Sequence, residues 1–126
     1  MNEHQAETYR SMVSLSTEAL KMLFLINGGA VVALLAYLGQ AASRTQLARR
    51  AVCPLAFFVA GLVLCALAFG SAYRTQLAIY NEAARGVAFS GTEHPAWLRR
   101  TFVLALASLA AFVCGAFASI YVLGSS

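Results

Sequence analysis

The sequence predicts an all-α integral membrane protein with three transmembrane helices, and three observations carry that prediction. The first is composition. Of 126 residues, 60% are hydrophobic and only 11% charged, against roughly 25% charged in an ordinary soluble domain. A chain this short buries too little of its own surface to hide so much apolar area. The second is the placement of charge: no Asp, Glu, Lys, Arg or His falls in 22–43, 51–73 or 101–126. Each gap matches the roughly 20 residues a helix needs to cross about 30 Å of hydrocarbon. The third is pattern. The gaps are apolar all round instead of alternating, so they read as helices that satisfy their own backbone and not as barrel strands.

The chain therefore reads as one domain of five parts. Residues 1–21 form an amphipathic helix outside the membrane; 22–42, 51–73 and 101–123 span it; and 74–100 form a helical extension and loop. Nothing interrupts the helical pattern between the N-terminal segment and the first span, so one helix from about Glu3 to Gln40 is expected. The leading segment is long, net acidic and amphipathic, unlike the short basic start of a signal peptide. It reads as a retained part of an anchor. Residues 41–50 read as a short polar connection. Pro54 then falls where a helix start tolerates proline, because the first-turn N–H has no helical partner.

Beyond the second span the helical signal continues. Tyr73, Leu77, Tyr80, Ala84 and Val87 repeat at heptad spacing, and Met12, Leu15, Ala19 and Met22 make a matching stripe on the N-terminal helix. The two surplus lengths emerge on one side of the membrane. A water-facing hairpin is expected there, with Glu18 beside Arg74 and Glu7 beside Arg85. The helix breaks in 86–91, and Thr92, Glu93 and Pro95 are start signals for the third helix. Trp97, Arg99 and Arg100 then anchor that helix at the headgroup level.

Basic residues set the orientation. Arg10, Lys21, Arg74, Arg85, Arg99 and Arg100 fall on the side of the N-terminus, and Arg44, Arg49 and Arg50 on the other. The positive-inside rule then places the N-terminus in the cytoplasm and the C-terminus in the periplasm. The net charge of +4 belongs to these flanks, so nucleic acid is not an expected partner.

Little in the chain points to catalysis. There is no Asp, and His4 and His94 stand apart from any other ligand-type residue. No phosphate loop, thiol pair or metal spacing occurs, so neither an enzyme nor a cofactor nor a small-molecule substrate is expected. Cys53, Cys65 and Cys114 read as small apolar packers within the spans. Ion-coupled transport normally leaves ionisable residues inside spans, and by sequence the spans hold none.

What remains is packing. Asn27, followed by Gly28 and Gly29, and Ser108 lie at similar depth in the first and third spans, and an interhelical hydrogen bond between them is expected. Ala107, Ala111, Gly115 and Ser119 recur every fourth residue, a ridge that lets helix backbones approach closely. The run 21–39, with its Asn27-Gly28-Gly29-Ala30 step, resembles the first membrane helix of small, uncharacterised bacterial inner-membrane proteins, where that step also follows a polar helix. The resemblance implies a bacterial inner membrane and brings no known activity or site residues. The expected function is a non-enzymatic module in the lipid bilayer that packs with a second copy or with a protein partner. The alternatives are a holin-like or toxin-like permeabilising protein, with Asn27, Ser108 and Ser119 toward a pore, and an accessory subunit of a larger complex.

Overall fold

The computed structural model of the chain describes residues 2–40, 45–85 and 94–125, and for residues 82, 83, 85, 94 and 95 the backbone alone. It is all-helical: α1 (Glu3–Gln40), α2 (Thr45–Arg85) and α3 (His94–Gly124). All three are long and apolar enough to cross a membrane.

Helix α1 starts where the sequence favours a start. The Asn2 carbonyl accepts from the Gln5 and Ala6 amides at 2.9 and 3.1 Å, and Glu3 sits in the first turn, beside the positive end of the helix dipole. The helix then runs unbroken for 38 residues, about 57 Å. Its hydroxyls do not interrupt it, because Thr8, Ser16 and Thr17 each donate to the carbonyl four residues back.

Helix α2 corrects two expectations. Residues 45–50 are its first turns and not part of a polar connection. Pro54 consequently lies inside the helix, where its ring forfeits the bond to the Arg50 carbonyl instead of occupying a harmless first-turn position. The ring is fully buried, so packing offsets part of that loss. The expected break in 86–91 and the cap at Thr92 and Glu93 lie outside the described residues.

Contacts fix an up-down-up arrangement. Helices α2 and α3 pack against each other from Arg74 and Trp97 to Arg50 and Ser125. At one end Arg74 lies over the Trp97 ring; at the other Arg50 donates to Ser125 Oγ at 3.5 Å. Between them Phe58 meets Phe112, ring centroids 5.7 Å apart. The stretch 50–74 measures about 36 Å, close to a hydrocarbon core plus part of each headgroup layer. Helix α1 rests mainly on α2. Their shared core is small: Leu20, Leu23, Cys65 and Ala68, bordered by Ile26, Phe69, Leu104 and Ala105. Most other large apolar side chains face outward along the helices, the surface a lipid solvent requires.

Candidate functional site: a buried polar junction and an open helix face

All three helices meet at Asn27, Gly61 and Ser108. Asn27 and Ser108 are both 0% exposed. The Asn27 amide donates to the Leu23 carbonyl at 2.9 Å and to Ser108 Oγ at 3.4 Å, so the hydrogen bond expected between α1 and α3 is present. Ser108 in turn donates to the Gly61 carbonyl at 2.8 Å, which ties in α2. Sequence reasoning missed Gly61 as a member of this junction. A Cβ at that position would lie 2.7 Å from Asn27 Cγ, so only glycine lets the amide in. Asn27 Oδ1 has no hydrogen-bond partner. It rests on the side of Gly61 where a side chain would project, against the Cα hydrogens, a weak acceptor environment known between close helices. A second tie lies nearer the N-terminus of α1, where the Cys65 thiol donates to the Leu20 carbonyl at 3.2 Å.

The small-residue ridge of α3 is used within the chain. Gly115 is buried against Phe58, whose ring carbons lie 2.8–3.0 Å from where its Cβ would be. Ala107, Ala111 and Ser119 are half-buried, and Ser119 donates to the Gly115 carbonyl at 2.8 Å. Gly28 faces Leu62, but Gly29 is exposed and a Cβ there would meet nothing within 4 Å. Of the cysteines, only Cys65 is a buried packer; Cys53 and Cys114 face outward.

The expected hairpin is corrected. Glu18 pairs with Lys21 at 3.3 Å and not with Arg74, while Arg74 lies over Trp97. Leu77, Tyr80 and Ala84 point outward, as do Met12, Leu15 and Met22, so the two stripes do not close on each other. Glu7 is exposed, and the side chain of its expected partner Arg85 lies outside the described residues. The physical reason is rotational. Leu20, Leu23 and Asn27 turn one side of α1 inward, and at about 100° per residue Leu15 and Met22 then fall on the opposite side of the same rigid rod.

The Leu20–Cys65 bond also corrects the depth of α1. Cys65 lies about 14 Å inside the level of Arg74, and Glu18 and Lys21 bracket Leu20. The pair therefore lies within the height spanned by α2 and α3, not outside it as the charge-free windows suggest. The slab free of charge on all three helices runs from the level of Cys65 to that of Ala51, about 21 Å by helical rise, against about 30 Å of hydrocarbon.

One face was overlooked although its signal is in the sequence. Ser11, Leu15, Glu18, Met22, Leu25, Gly29, Val32 and Ala36 alternate steps of four and three, a continuous heptad seam. Every one of them is exposed, with Met22 at 60%, Leu25 at 64% and Val32 at 66%. The seam lies opposite the buried face of α1, and Glu18 sits on it with its partner Lys21 beside it.

Among the described residues, no three His, Cys, Asp or Glu side chains gather as metal ligands would. The fold and its polar junction thus define a helical membrane protein with three candidate spans. No protein-family model matches the chain, and comparison with curated proteins and with solved structures finds no match.

Proposed function

We propose that the protein is a non-enzymatic membrane module that acts by helix packing, and that it pairs with a second copy of itself through the outer face of α1. The open heptad seam carries this reading. Its spacing suits left-handed packing against another helix, and Gly29 and Ala36 allow close approach. Its charge pair is self-complementary: across a two-fold axis, Glu18 of each copy lies beside Lys21 of the other. Ionisable groups at membrane depth are costly when left to lipid, and a second copy relieves that cost for both chains. Copies inserted in one orientation pair in parallel. On the excess of basic flanks, with Arg74, Arg99 and Arg100 on the N-terminal side, that orientation is N-terminus cytoplasmic and C-terminus periplasmic in a bacterial inner membrane.

The polar groups of the junction do not favour a pore. Asn27 and Ser108 bond to each other inside the chain, and Ser119 is engaged with its own helix.

Cysteine scanning tests the pairing. In a chain with Cys53, Cys65 and Cys114 replaced by alanine, single cysteines are placed along α1 and oxidised in native membranes. Covalent dimers are expected at 22, 25, 29 and 32, and not at 23, 27 or 34. No dimer at any position, or equal yields at all of them, would sink the reading. A cross-linked band of another mass would shift it to a different protein partner.

A further inference from the structure

We infer that Arg74, Trp97 and Arg100 form a seat for a phosphate group, with the headgroup of an anionic phospholipid as its source. Two arginines from different helices share one aromatic ring. The Arg74 guanidinium carbon lies 5.6 Å from the Trp97 ring centroid, and that of Arg100 lies 4.9 Å from it. Two like charges thereby border one ring, and among the described residues neither has a carboxylate partner, the one ion pair being Lys21–Glu18.

The ring accounts for part of this arrangement but not all of it. It attracts the flat face of a guanidinium through its quadrupole and accepts none of the in-plane N–H donors. Each arginine keeps its donor fork available at its edge. A tetrahedral oxyanion between the two forks takes hydrogen bonds from both and cancels their mutual repulsion, and guanidinium geometry suits phosphate for bidentate contact.

Position selects the source. Trp97 stands at the end of the apolar part of α3, where aromatic rings sit at the headgroup level, and Arg74 follows the apolar stretch of α2. A phosphate at that height belongs to a lipid whose acyl chains run down the outward-facing side chains of α2 and α3. Anionic lipids add a net charge that zwitterionic ones lack. Arg99 supplies an internal control. It is exposed and carries the same charge at the same depth, yet helical geometry turns it about 200° from Trp97.

Trp97 is the single tryptophan of the chain, so intrinsic fluorescence reports on this site alone. The full-length protein in phosphatidylcholine micelles is titrated with phosphatidylglycerol and, in a parallel arm, with inorganic phosphate. The expected result is a saturable change in Trp97 emission with the anionic lipid and none with inorganic phosphate over the same range. R74Q and R100Q are each expected to weaken it about tenfold more than R99Q, the loss of charge-assisted hydrogen bonds exceeding that of diffuse attraction. R74K keeps the charge but not the fork, and is expected to fall with R74Q while retaining the helical circular dichroism of the parent. An equal response to inorganic phosphate would keep the seat but make free phosphate its ligand. No saturable change in either arm would overturn the inference. So would equal losses in R74Q and R99Q, which would reduce the site to general charge attraction.

Discussion

Replacement of Gly61 by leucine is expected to cost about 2–5 kcal/mol and to detach α1 from the α2–α3 pair. The estimate rests on what a side chain at 61 would meet. Asn27 Cγ lies 2.7 Å and Nδ2 3.1 Å from the position of a Cβ, and Asn27 is fully buried. The amide cannot swing into open space. Moving it breaks the bonds to Leu23 and Ser108 and strands polar atoms among apolar ones, at roughly 1–3 kcal/mol for a buried unsatisfied group. Unfolding by sodium dodecyl sulfate titration from mild detergent measures the loss. Pairing Gly61→Ala with Asn27→Ala separates this cause from a general dislike of larger residues. If the amide is the obstacle, the double variant is more stable than the sum of the single effects predicts. Strict additivity, or a Gly61→Leu variant of parental stability, would refute the account.

Gly29→Leu is expected to do the opposite: leave the chain folded and weaken the proposed pairing. No atom lies within 4 Å of a Cβ at 29, and leucine has the better helix propensity, so stability to dodecyl sulfate should hold or rise slightly. On the outer seam the same side chain separates two backbones that glycine lets approach. Association measured by energy transfer between labelled copies in vesicles should weaken by about tenfold or more, ~1.4 kcal/mol. The charge pair supplies a second handle. E18K alone gives the seam two positive charges and should weaken pairing as well, while E18K/K21E restores complementarity and should recover it. If Gly29→Leu lowers stability while pairing persists, α1 faces the wrong way in this account.

Much of the fold could be read from the sequence because membrane spans are marked by what they lack. The absence of charge and the all-round apolar pattern located three helices, and the bounds of α1 followed from having nothing to break it. The Asn27–Ser108 bond was also legible, since two polar residues at like depth in apolar helices have few other partners. Rotation was not legible. Which side of α1 faces inward is decided by one glycine, Gly61, admitting one amide, and glycines of equal appearance occur elsewhere: Gly29 and Gly70 meet nothing. Vertical register was not legible either. Counting from Lys21 and Tyr73 treats the charge boundary as the membrane boundary on every helix, whereas the Cys65 thiol and the Leu20 carbonyl fix a different level. The predicted Glu18–Arg74 pair failed for that reason, Glu18 meeting Lys21 instead.

The vertical offset of α1 has a consequence for the surrounding lipid. Between the Arg74 and Arg50 levels the wall formed by α2 and α3 stands about 36 Å tall, whereas the charge-free run of α1 beyond Lys21, residues 22–40, is about 28 Å long. Acyl chains touching α1 must shorten or tilt to match it, and those on the far side need not. A solitary molecule thus carries a lopsided collar of deformed bilayer. Two molecules that meet along α1 expel that collar from between them and recover its elastic energy. Since the deformation grows with the thickness of the host membrane, the paired fraction should rise from short-chain to long-chain phosphatidylcholine vesicles, and energy transfer at fixed protein-to-lipid ratio would reveal it. On the proposed pairing, bilayer thickness is then expected to tune the assembly state.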